Sequence, residues 1–140
     1  MTDIREGYGI YATGNYCNLS DNEIAGGVYG ICLAGSNYST VSRNHASMRT
    51  YGIFLDRSSN CTVLDNTAYC NGEYGISLSS LSGCSITRNL ANSNKYGIRL
   101  FITDNNSITG NTIANNTRYG IALDYSDDCE IYHNNFVNNA

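Results

Sequence analysis

Few side chains in this 140-residue chain could do chemistry beyond hydrogen bonding. Six cysteines, two histidines and twelve acidic residues are the whole stock of metal ligands, thiol nucleophiles and general acids. Cys17, Cys61, Cys84 and Cys129 fall near multiples of one interval, whereas Cys32 and Cys70 stand outside it. No Cys-x-x-Cys or His-x-x-x-His spacing occurs, so the ready-made ligand sets of zinc and soft-metal sites are absent, and no metal or cofactor is expected. The acids gather once, at Asp124, Asp127, Asp128 and Glu130. Such a set offers the carboxylate oxygens that Ca²⁺ or the hydroxyl groups of a sugar would take, and it is the candidate calcium or sugar site. No Ser, His and Asp pattern points to acyl transfer.

What must position these groups is a repeat. The tripeptide YGI begins at Tyr8, Tyr29, Tyr51, Tyr74, Tyr96 and Tyr119, with intervals of 21 to 23 residues. A column of asparagines keeps the same step: Asn22, Asn44, Asn66, Asn89, Asn111 and Asn134. Three residues before each lies an aliphatic side chain, and five before lies a small one: Cys17, Ser39, Cys61, Cys84, Asn106 and Cys129. Each unit thus reads YGIxL, a polar linker, CxIxxN, and a short third piece. Its three alternating runs are strands of about three to five residues, too short for helices. No single unit can bury its apolar face, so units must stack.

The expected fold is therefore an all-β parallel solenoid of six coils at residues 8–28, 29–50, 51–73, 74–95, 96–118 and 119–140, after a lead-in at 1–7. Coils about 4.8 Å apart make a rod roughly 29 Å tall. A leucine-rich horseshoe shares the unit length, but its convex segment would have to carry YGIxL, whose glycine and alternation suit a strand.

Column by column, stacked amides satisfy one another at a bend, which assigns Asn22, Asn44, Asn66, Asn89, Asn111 and Asn134 to a structural ladder. Asn71, Asn94, Asn116 and Asn139 form a partial second row. Alternation puts each Tyr on the same side as the Ile two residues later, packing a corner. The cysteine column reads as small buried apolar residues, with Cys61 and Cys84 the one pair on adjacent coils and hence within disulfide reach. His45 and His133 flank the Asn column on opposite sides and should not converge. Asp56 and Asp124 share an outward column three coils apart, roughly 14 Å, too far for an acid/base pair. Arg99 has no acidic neighbour in its column.

The repeated YGIxL, CxIxxN and NxAxxN pieces, as in Tyr74-Gly75-Ile76-Ser77-Leu78 with Cys84-Ser85-Ile86-Thr87-Arg88-Asn89-Leu90-Ala91, resemble the right-handed parallel β-helix repeats of the NosD-like and carbohydrate-binding/sugar-hydrolase families. The resemblance implies a right-handed single-stranded β-helix. It also implies a choice among polysaccharide lyases and hydrolases, periplasmic proteins linked to copper-site maturation, and surface proteins.

Composition narrows that choice. Charged residues make up 14% of the chain and the net charge is −4, which leaves no footprint for nucleic acid or an anionic membrane and makes polyanions poor candidate partners. No apolar run is long enough to span a bilayer as a helix. The reading is a non-catalytic structural or carbohydrate-facing module of an exported, cell-surface or periplasmic protein. Its partners are polysaccharide, further coils of a longer chain, or a second copy stacked end to end into filaments. Two alternatives stand beside it: a polysaccharide lyase or hydrolase fragment using Asp124, Asp127 and Asp128, and a thiol-based copper-handling protein.

Overall fold

The computed structural model describes residues 7–140, and every regular element among them is a strand. The expected lead-in therefore lies, except for Gly7, outside the described residues. Each coil contributes three strands. The first set, six residues each, comprises β1 (Tyr8–Thr13), β4 (Tyr29–Ala34), β7 (Tyr51–Asp56), β10 (Tyr74–Ser79), β13 (Tyr96–Phe101) and β16 (Tyr119–Asp124). The second comprises β2 (Asn18–Ser20), β5 (Thr40–Ser42), β8 (Thr62–Leu64), β11 (Ser85–Thr87), β14 (Ser107–Thr109) and β17 (Glu130–Tyr132). The third comprises β3 (Glu23–Ala25), β6 (His45–Ser47), β9 (Thr67–Tyr69), β12 (Leu90–Asn92), β15 (Thr112–Ala114) and β18 (Asn135–Val137). Each set forms one parallel six-stranded sheet, so the molecule is a three-sided solenoid of six coils.

Register is like on like, because a slip by one residue would turn every buried side chain to the opposite face. Tyr51 pairs with Tyr74, Ile53 with Ile76 and Leu55 with Leu78, and the same match runs the length of the first sheet. The core follows from it. Ile31, Ile53, Ile76 and Ile98, with Leu33, Leu55, Leu78 and Leu100, are fully buried from the first sheet. Val41, Val63, Ile86 and Ile108 meet them from the second, and Ala46, Ala68, Ala91 and Ile113 from the third. In the last coil the equivalent side chains Leu123, Ile131 and Phe136 are exposed.

Four tight corners per coil take left-handed backbone, which turns the chain within one residue. The row of Gly14, Gly35, Arg57, Ser80, Ile102 and Tyr125 is one of them. Only glycine adopts this region freely, and a β-branched residue such as Ile102, at φ 54°, does so against steric resistance.

The interior corners are tied by hydrogen-bonded rows. In the first row each Asn Oδ1 from Asn44 to Asn134 accepts both the backbone N–H and the Nδ2–H of the Asn one coil earlier, at 2.8–3.0 Å. The second Nδ2 hydrogen goes to a strand carbonyl, as from Asn66 to Val41 at 2.8 Å. Asn71, Asn94, Asn116 and Asn139 repeat the pattern. In the cysteine column Cys61 and Cys84 lie buried in the core as expected, with Cys17 and Cys129 packed against it, and the column is also a hydrogen-bonded row. The Cys17 N–H donates to Ser39 Oγ, the Ser39 N–H to Cys61 Sγ, the Cys61 N–H to Cys84 Sγ and the Cys84 N–H to Asn106 Oδ1. These thiols in turn donate to carbonyls, Cys61 to Ser36 O at 3.1 Å and Cys84 to Ser58 O at 3.3 Å. Small polar atoms of three kinds interchange there because the row needs only one acceptor per coil.

Candidate functional site

The outer face of the first sheet carries the most distinctive surface. Its geometry begins at the glycines of YGI, which point inward together with the following Ile. A Cβ on Gly52 would lie 2.5 Å from the Gly75 carbonyl oxygen, and one on Gly75 would lie 2.7 Å from both the Gly97 oxygen and Asn94 Nδ2. Only hydrogen fits where consecutive coils and the second Asn row approach so closely. Because two consecutive residues face inward, alternation breaks at Gly, and the Tyr is thrown to the outside instead of the Ile side. The rings thus form the expected stacked ladder, half-buried in the inner coils, but on the outer side of the strand instead of the Ile side.

The six tyrosines stand in an outward file, with ring centroids 4.8 Å apart from Tyr8 to Tyr29 and from Tyr29 to Tyr51. The file continues at 5.0 Å to Tyr74, 5.0 Å to Tyr96 and 5.6 Å to Tyr119. Neighbouring rings cover one another's faces, so the inner members present edges and hydroxyl groups. Beside them lie the residues three further along the strand: Tyr11 is 5.0 Å from Tyr8, and Phe54 is 5.4 Å from Tyr51. The smaller members of that column, Cys32 and Ser77, are buried. Burial, with Asp56 adding to it, pushes the Cys32 thiol up to about 11.

Toward the later coils the face becomes charged. Arg99 donates from Nε to Asp124 Oδ2 and from Nη1 to the Tyr74 hydroxyl, both at 2.9 Å. Its guanidinium lies 5.2 Å from the Tyr74 ring and 5.0 Å from the Phe101 ring. Burial alone would lower the Arg99 pKa, but the contacts with Asp124 and Tyr74 outweigh it and leave it raised. The Arg118 guanidinium stands 5.6 Å from the Tyr96 ring and 5.7 Å from Tyr119. Lys95 donates to both Glu73 carboxylate oxygens at 2.9 Å, which raises its pKa.

Sequence reasoning missed the Arg99–Asp124 pair because it looked along columns. The two lie on a diagonal, the fourth residue of β13 against the sixth of β16. The available signal was a basic residue just before, or three after, the later tyrosines: Lys95, Arg99 and Arg118.

The structure does not bring the four acids together. Asp124 faces outward from the first sheet against Arg99. The Asp127 N–H donates to Asp104 Oδ1 at 3.1 Å, while Asp128 and Glu130 line an open depression with Asn105, Asn106 and Ser107. Cys61 and Cys84 sit on adjacent coils, both as free thiols, and the contact with the Cys84 side chain holds the Cys61 thiol below its usual pKa. His45 lies on β6 and His133 at a corner beside Tyr132. Among the described residues no three His, Cys, Asp or Glu side chains converge, so these groups do not fit a copper centre of three or more such ligands.

Comparison with known proteins agrees with this architecture. The backbone is similar to that of the periplasmic alginate epimerase AlgG. In a double-mutant form of AlgG the TM-score is 0.84 at 26% identity, covering 95% of this chain and 33% of that one. The crystal structure of AlgG without a stated mutation gives 0.78 at 26% identity, covering 91% and 32%. The chain thus spans about a third of the AlgG structure. No curated protein matches it. Residues 1–140 match the family described as periplasmic copper-binding protein (NosD), and the chain, a three-sided solenoid with internal Asn rows, belongs to that family.

Proposed function

We propose that this β-helix is a non-catalytic, carbohydrate-facing module of an exported protein, and that the outer face of the tyrosine sheet is its contact surface. The observation that carries the reading is the outward file of six tyrosines at 4.8–5.6 Å, which repeats one phenol hydroxyl per coil along the axis. A polysaccharide laid along the file would meet a donor and acceptor at nearly every sugar, with the apolar rings of Tyr11 and Phe54 beside it. Likeness to an alginate epimerase and the periplasmic descriptions of both that enzyme and the family support a carbohydrate partner and export.

Absence of turnover is argued from the acids of this face. Asp124 is held by Arg99 and Asp56 by Arg57, each at 2.9 Å. The two carboxylates are three coils apart, roughly 14 Å, beyond the separation at which paired carboxyls act on one glycosidic bond.

Titration calorimetry with alginate and with a neutral mannan, alongside assays for chain cleavage and for epimerised product, tests the proposal. Binding of at least one polymer, weakened by Tyr51→Ala with Phe54→Ala and without any product, is the expected result. No binding to either polymer, or product formed in step with enzyme concentration, would refute it.

A further inference from the structure

Charge is distributed unevenly along the tyrosine file. The position before each Tyr runs Val28, Thr50, Glu73, Lys95 and Arg118 from the second coil to the last. Lys95, Arg99 and Arg118 all crowd Tyr74, Tyr96 and Tyr119, whereas the earlier rings have Tyr11 and Phe54 as recorded ring neighbours. Two of the three cations are already engaged, Lys95 by Glu73 and Arg99 by Asp124. Arg118 has no carboxylate partner among the described residues, and Arg99 uses Nε and Nη1 while its Nη2 carries no recorded bond. The later half of the file therefore holds a surplus positive charge in a molecule of net charge −4.

Both guanidiniums lie against aromatic rings. That contact restricts the side chains before any ligand arrives, so less rotamer freedom is lost on binding, and the planar fork remains able to take a carboxylate through two parallel N–H donors. A neutral sugar gives the guanidiniums only hydroxyl oxygens; a uronate gives them an anion.

Resting on the carbohydrate-facing reading above, we infer that this face selects acidic over neutral chains. Arg118, with the free edge of Arg99, reads the carboxylates of a polyuronate that lies along the tyrosine file. The polymer runs parallel to the solenoid axis, its sugars spaced against the phenol hydroxyls and its acid groups turned toward the Arg99 and Arg118 side. Exposed charge pairs are weak and screened, so each arginine contributes a few-fold in affinity and the contribution fades once the Debye length falls well below about 8 Å.

The test is the ratio of affinities for alginate and neutral mannan, measured at low and at high NaCl on the whole chain. The expected ratio favours alginate at low salt and shrinks as salt rises. Arg118→Gln should lower it about three- to fivefold, and Arg99→Gln with Arg118→Gln about tenfold or more. Arg118→Lys should recover only part of the loss, because an ammonium keeps the charge but not the fork. Arg43→Gln, on another corner and paired with Asp21, serves as the control and should leave the ratio as it was. Circular dichroism establishes that each variant retains its sheets. Equal affinity for the two polymers, or a preference that Arg118→Gln leaves intact, overturns the inference while the carbohydrate-facing role stands. No binding to either polymer removes both.

Discussion

Replacing Asn66 by Leu probes the load carried by the interior amide row. Asn66 Oδ1 accepts the Asn44 backbone N–H at 2.9 Å and the Asn44 Nδ2–H at 3.0 Å. Its own Nδ2 donates to Val41 O at 2.8 Å and to Asn89 Oδ1 at 2.9 Å. Leucine of similar size removes all four. The Asn44 side chain keeps its bond to Leu19 O, but its backbone N–H loses the Asn66 Oδ1 acceptor in a residue only 2% exposed. One orphaned buried donor costs about 1–3 kcal/mol, and the half-satisfied Asn44 amide adds to it, for a total of about 2–4 kcal/mol. In a domain of this size the melting temperature should fall by roughly 6–12 °C. Asn22→Leu is the internal comparison. Asn22 stands at the start of the row, and its Oδ1 accepts from no described residue, so its loss strands no backbone donor among the described residues. That variant should lose less than about 1 kcal/mol. Urea unfolding of both, followed by far-UV circular dichroism, measures the difference. Equal destabilisation by the two substitutions would refute the idea that the cost lies in the donors left behind.

Other parts of the coil give equally direct tests. Gly75→Ala places a methyl 2.7 Å from the Gly97 oxygen and should cost about 2–3 kcal/mol in the same unfolding assay, whereas Gly72→Ala, whose nearest neighbour would be 3.6 Å away, should be close to neutral. Ile102→Gly relieves a β-branched residue at φ 54° on an exposed corner and should raise stability by about 1 kcal/mol; a lower melting point would show that the exposed side chain contributes more than the strain costs. Alkylation of the protein unfolded without reductant should count at least four free thiols, since only Cys61 and Cys84 lie on adjacent coils of one row; two or three disulfides would contradict the register.

The coil is set by the residue columns alone. Like-on-like columns of Ile, Leu and Asn at a 22-residue step admit one arrangement, because an apolar strand three residues long is stable only against its own copy in the next coil, and a polar residue at a buried bend only against its own amide. Fold class, coil count and the Asn rows were all legible for that reason. The direction of the tyrosines was not. It turns on the backbone at Gly52, Gly75 and Gly97, where close approach of successive coils forces two consecutive residues inward, and a period-two reading carries no record of that break. The hydrogen bonding of the cysteine column was hidden for a related reason: its thiols pack in the core as small apolar side chains do, and only their neighbours Ser39 and Asn106 disclose the row they also serve. The Arg99–Asp124 pair and the placing of Arg118 against Tyr96 and Tyr119, with no carboxylate partner among the described residues, were likewise decided in three dimensions. Long side chains cross from one column to the next, so the contacts that define the outer face depend on stacking distance and side-chain reach, neither of which is written in the spacing of residues along the chain.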